Sequence, residues 1–261
     1  MLAILLLAAS LAAATPPEAP AIRLTPAQAW EIGLKIWRNE AGGKVRFLTH
    51  WNEGEDFGSF GIGHFIWYPA GKRGPFTESF PGVVDALAAA GETLPAWMRG
   101  PCPWPDRAAF YADFDGPRLT GLRALLARTV DVQALYAARR LENALPAVLS
   151  AAAPSERAAL EKRFRAVAAA PNGAYALVDY VNFKGEGVNP TERYSGLGWG
   201  LLQALQMTAD PEPGHPSVEA FEKAADAALT RRVANAPAER RERERDWLPG
   251  WRTRLKTYLE P

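Results

Sequence analysis

Residues 106–170 hold the longest stretch with one pattern. Apolar side chains return every three or four positions, at Leu135, Ala138, Leu141 and Leu145 and again at Leu160, Phe164 and Val167. That spacing puts them on one face of a helix rather than on alternate faces of a strand, so the body of the fold has to be helical. Shorter helices are predicted over 174–183, over 200–207 and over 217–233, the last with Val218, Phe221, Ala225 and Leu229 facing inward. Residues 44–69 are rich in turn formers and aromatics and read as a small β-hairpin region. Residues 70–107, dense in Pro, Gly and Trp, read as an ordered irregular insertion with a short helix over 83–90. The expected class is mainly α with a small β-hairpin region, an α+β fold.

Composition removes several alternatives. With 261 residues, 48% of them hydrophobic, the chain holds enough apolar material for one sizeable core. A net charge of +1 gives no basic field of the kind that holds nucleic acid. Cys102 is the only cysteine, which excludes an internal disulfide, and between its prolines it reads as a buried thiol. No period of 20–50 residues repeats, so a solenoid is excluded. The charged run at 239–246 reads as a solvated helix face laced by Glu–Arg pairs.

Residues 2–14 are apolar, shorter than the roughly 18 residues of a membrane span, and end with Ala12 and Ala14 in an Ala-x-Ala arrangement. Residues 1–14 are therefore expected to be a signal peptide, residues 15–24 a Pro-rich tether, and the protein periplasmic or secreted without stable membrane insertion.

Thr25, Pro26 and Gln28 form a helix start: a capping threonine, a proline at the first helical position and a capping-box glutamine. The helix that follows carries Trp30, Gly33, Leu34 and Trp37 on one stripe and stops at Gly42-Gly43. Glu40 falls near the edge of that stripe. There the helix dipole and the apolar neighbours Ile36 and Trp37 disfavour its charge, and no Lys or Arg stands three or four positions earlier. Glu53, Glu55 and Asp56 follow in a turn, with the aromatics Trp51, Phe57, Trp67 and Tyr68 close by in sequence. A dry carboxylate and a wet one are the equipment for hydrolysing a glycosidic bond. The same residues also suit a structural ion-pair cluster.

The stretch from Asn39 to Phe65 resembles the catalytic region of phage-type lysozymes. There a glutamate at a helix end precedes a hairpin ending in a Gly-Ile-Gly-His run, here Gly61, Ile62, Gly63 and His64. Residues 176–187 are similar to that family's Ala-Leu-Val helix and glycine turn, and 247–255 to its Leu-Pro-Gly stretch followed by arginines. The resemblance implies a single lysozyme-like domain over 25–261, Glu40 as general acid, Glu53 as base (Asp56 if the register differs), and Ser59 holding the attacking water. The spacer from Glu40 to Glu53 holds twelve residues, more than is usual in the family. A second segment, 185–205, is similar to lytic transglycosylases and would make Glu186 the acid, with Gln203 lining the cleft.

Asp56, His64, Trp67, Tyr68, Glu186, Trp199 and Gln203 are the expected substrate contacts, with at least two of Trp67, Tyr68 and Trp199 lining the groove that holds Glu40. His50, Glu53 and His64 match no zinc spacing and no Gly-x-Ser-x-Gly elbow is present, so neither metal, cofactor nor serine nucleophile is expected. The expected function is cleavage of β-1,4 links in an amino-sugar polymer, most of all peptidoglycan, by a monomer. A non-catalytic glycan-binding envelope protein on the same fold is the alternative.

Overall fold

The computed structural model describes residues 21–74, 76–212 and 217–260. The expected signal peptide and the first part of the tether lie outside these residues.

Helix α1 (Pro26–Ala41) starts where its sequence says. The Thr25 hydroxyl accepts from the Gln28 N–H at 3.2 Å and the Gln28 side chain accepts from the Thr25 N–H at 2.9 Å. It ends at Gly42, left-handed at φ 58°, whose N–H donates to the Arg38 carbonyl. Its buried side is Ala29, Gly33, Ile36, Trp37 and Ala41. The expected stripe is thus rotated: Trp30 stays 39% exposed, Leu34 is half-buried, and Glu40 sits on the same side as Ile36 and Trp37. Gly33 sets the rotation. A Cβ there would lie 2.4 Å from a Val130 methyl and 2.9 Å from the Val130 carbonyl, so α1 meets the central helix α5 (Val130–Ser150) almost backbone to backbone.

A 3-10 turn, Val45–Leu48, takes up part of the long spacer after Glu40. Three short antiparallel strands follow in the order β1 (Thr49–His50), β2 (Gly58–Phe60) and β3 (Phe65–Trp67), with His50 opposite Ser59 and Ser59 opposite Ile66. Gln133 of α5, fully buried, fastens this sheet to the helices. Its Oε1 accepts from the Ile62 N–H at 3.0 Å, and its Nε2 donates to the Leu126 carbonyl at 2.7 Å.

The Pro/Trp segment covers the inner face of the sheet. It contains α2 (Phe80–Ala89), three residues earlier at its start than expected, and a 3-10 turn at Ala96–Arg99. Phe80 and Trp104 pack on Phe60, and Trp97 stacks on Trp67. The Cys102 N–H donates to the Tyr68 carbonyl at 2.9 Å. Large rings do here what aliphatic side chains do in a longer sheet.

The remaining helices are α3 (Arg107–Ala112), α4 (Pro117–Arg128), α6 (Arg157–Ala169), α7 (Gly173–Lys184), α8 (Leu201–Met207), α9 (Ser217–Asn235) and α10 (Ala238–Lys256). A continuous buried cluster runs from Ile22 to Tyr258. Among the described residues no helix is long and apolar enough to cross a membrane. The charged run 239–246 is the exposed, Glu–Arg-paired helix face that its sequence predicts, with one exception. It is the first half of α10, and Glu244 within it is fully buried, held by Arg232 at 2.9 Å and by the Tyr194 hydroxyl at 2.7 Å.

Candidate functional site

Glu40 stands in a cluster assembled from both ends of the chain. Its Oε1 accepts from Arg254 Nη2 of α10 at 2.5 Å and from Asn182 Nδ2 of α7 at 2.9 Å, and its Oε2 lies 3.7 Å from His64 Nδ1. The cation that the local sequence lacks therefore arrives from a helix 214 positions away. Arg254 is shared. Two parallel bonds of 2.8 Å bind it to Asp179, which is fully buried and also accepts from the Tyr258 hydroxyl at 2.8 Å. Burial alone would lower the Arg254 pKa, but Asp179 and Glu40 outweigh it and hold the guanidinium charged well above its ordinary range.

His64 follows β2 with φ at 50°, in the left-handed region, and its Nε2 lies 3.2 Å from the Phe47 carbonyl. Burial lowers its pKa, outweighing the pull of Glu40. His50 stacks on it with ring centroids 6.3 Å apart, and together with Glu40 and Lys44 they line a depression of about 290 Å³. His64 also lines a larger groove of about 560 Å³ between the sheet and the loop after α7. One edge of this groove is Ile66 with Thr77, and the other includes Lys184, Glu186, Glu192 and Trp199.

The glycine-dense loop 185–200 owes its composition to close backbone packing. A Cβ on Gly200 would lie 2.3 Å from the Gly187 nitrogen and 2.8 Å from the Gly185 carbonyl. The carbonyls of Gly185 and Glu186 accept from the first N–H groups of α8, those of Leu201 and Leu202, each at 3.0 Å. Gln203 clamps the loop, accepting from Gly200 N–H and donating to the Gly187 carbonyl, both at 3.0 Å. It is a buried positioning residue, not a cleft-lining one.

The other sequence-selected residues fall into four groups. Trp199 and Glu186 line the larger groove, whereas Glu40 lines the smaller depression, and His64 is the one residue common to both. The expected groove holding Glu40 together with at least two of Trp67, Tyr68 and Trp199 is therefore not formed. Trp67 and Tyr68 line neither, contrary to expectation: they are 0% and 2% exposed, with the Trp67 indole donating to the Gly100 carbonyl and the Tyr68 ring against Phe57. Alternation along β3 turns Trp67 to the same inner face as Phe60. Glu53 and Asp56 occupy the exposed turn between β1 and β2, Asp56 paired with Lys72 at 2.9 Å. Ser59 is 5% exposed and lies between His50 and Ile66 across the sheet. Burial, reinforced by Glu186 and opposed by Arg232, raises the Glu192 pKa.

Sequence reasoning missed Asp179, Asn182, Lys184, Arg232 and Arg254 as site residues. Asp179 was open to detection, as an acid inside an otherwise apolar helical run. Arg254 was one of several similar arginines on α10. Comparison of the chain with protein-family models, curated proteins and solved structures gave no match.

Proposed function

We propose that this protein is an exported glycoside hydrolase that cuts β-1,4 links of an amino-sugar polymer, peptidoglycan foremost, with Glu40 as the general acid. One observation carries the reading. The three segments that resemble phage-type lysozymes, widely separated in sequence, meet at one carboxylate, through His64, Asn182 and Arg254.

Glu40 shares Arg254 with the buried Asp179, in a cluster of two acids and one arginine. Its side chain is 16% exposed, open enough to meet a leaving oxygen. The resemblance gives Glu53, on the solvated turn, the role of activating water for inversion at the anomeric carbon, and Ser59 that of holding the water. The test is zymography on purified peptidoglycan: wild type clears the gel and Glu40→Gln does not. A Glu40→Gln protein that cuts at a near wild-type rate overturns the assignment.

A second reading makes Glu186 the acid. It rests on the position of Glu186 in the groove wall without an ion pair among the described residues, where Glu40 has one. Loss of cutting in Glu186→Gln with retention in Glu40→Gln selects it. A wild type that binds the polymer but cuts nothing leaves a glycan-binding protein. Export rests on the apolar run at 2–14. Recovery of the exported protein starting near Thr15 supports it, and an intact Met1 refutes it.

A further inference from the structure

Lys184 is the last residue of α7, one of the groove-lining side chains, and two positions beyond the Asn182 that holds Glu40. Its amine rests on two aromatic faces, 3.8 Å from the ring centre of Phe183 and 3.5 Å from that of Trp251. Such a cradle orients the side-chain nitrogen and offers it no counter-charge. The cations around it are already balanced. Arg254 of α10 serves Asp179 and Glu40, and Arg232 of α9 forks onto Glu244 of α10 with two bonds of 2.9 Å. Glu186 and Glu192 lie further along the groove wall. No carboxylate among the described residues comes within ion-pair distance of Lys184 itself.

We propose that Lys184 binds a carboxylate of the substrate, so that the groove selects glycans bearing acidic groups over neutral ones. The inference rests on the glycan-cleaving reading above and adds the chemical class of the substrate. The physical reason is a missing counter-ion. Burial, with Arg232 and Arg254 beyond what Glu244 and Glu40 offset, pushes the Lys184 amine down to about 6, so it stands mostly uncharged at neutral pH. A sugar hydroxyl gives such an amine nothing to charge for. A carboxylate entering the groove restores the missing partner, and the amine binds a proton to meet it.

The probes are the disaccharide of N-acetylglucosamine and N-acetylmuramic acid as the free acid, its methyl ester, and the neutral chitin disaccharide. Affinity is read by tryptophan fluorescence, and proton uptake at pH 7.5 by titration calorimetry in two buffers of different ionisation enthalpy. Wild type is expected to prefer the free acid about tenfold, a difference of about 1.4 kcal/mol, and to take up close to one proton on binding it and none on binding the ester. Lys184→Met is expected to bind acid and ester alike. Lys184→Arg, charged at every working pH, is expected to keep the preference without proton uptake. Equal affinity of wild type for acid and ester overturns this inference and leaves the glycan reading standing. So does a preference that survives in Lys184→Met. Failure of all three sugars to bind overturns both.

Discussion

Replacing Arg254 with methionine tests the cluster most directly. The guanidinium is 11% exposed and makes three short contacts: two of 2.8 Å to Asp179, which is 0% exposed, and one of 2.5 Å to Glu40. Methionine keeps the helix propensity and part of the packing on Phe183, so the change isolates the charge. Breaking a buried pair from one side typically costs about 3–5 kcal/mol, because the remaining charge stays buried alone. Asp179 keeps the Tyr258 hydroxyl at 2.8 Å and Asn39 Nδ2 at 3.3 Å, which places the expected loss at the lower end, about 3 kcal/mol. For a chain of this size that is a fall in Tm of about 6–12 °C. Urea unfolding should show the same loss as a lower midpoint with unchanged slope. The Arg254→Met, Asp179→Asn double variant should regain about 1–3 kcal/mol relative to the sum of the singles, since each removal spares the other residue its orphaned charge. A Tm for Arg254→Met within about 2 °C of wild type would mean that the pair carries little, and the convergence of the three segments would lose its energetic meaning.

Further expectations follow from the same contacts. Glu40→Gln leaves the Arg254–Asp179 pair intact, so its unfolding free energy should change by no more than about 1 kcal/mol while glycan cutting disappears. Gly200→Ala, whose Cβ would meet the Gly187 backbone at 2.3 Å, should lower stability by about 2 kcal/mol or more in urea titration, whereas Gly100→Ala, in open space at negative φ, should be near neutral. Lys184→Met should raise Tm at pH 7, because the unfolded chain holds a proton there that the folded chain mostly lacks. That gain should shrink as pH rises toward the ordinary lysine value of 10.5, where the unfolded amine also loses its proton. Glu244 is pushed up by burial, but its hydrogen bonds from Arg232 and Tyr194 win and hold its carboxyl below the ordinary 4.5. Its contribution is therefore present above that pH and lost as acid takes it through the folded value, and Glu244→Gln should flatten the acid limb of the stability curve. Cys102, buried and pushed up to about 12, should resist a thiol reagent at pH 8 until the protein unfolds.

Local rules were legible without coordinates wherever the physics is local. The capping box at Thr25 and Gln28, the stop at Gly42 and the helical period of α5 each depend on residues within a turn or two of one another, and each lies where the spacing puts it. The glycine-dense loop and the presence of an ordered Pro/Trp segment were legible for the same reason. What depended on the packing of distant elements was not. The buried stripe of α1 is rotated because Gly33 has to meet Val130. Trp67 and Tyr68 are core residues because the sheet is too small to be covered by aliphatic side chains and takes rings from the insertion instead. Glu244 reads as solvated in a charged run, yet three groups from other turns and elements, Tyr194, Arg232 and Arg240, surround it. The local sequence could place Glu40 at a helix end and near an apolar side, since a period of 3.6 residues decides that. It held no information on whether a cation would stand opposite, because Arg254 looks like any other arginine of α10. Only the folding of α10 against α1 and α7 makes it the partner of two acids, and an electrostatic environment is a property of distances in space, not of separations along the chain.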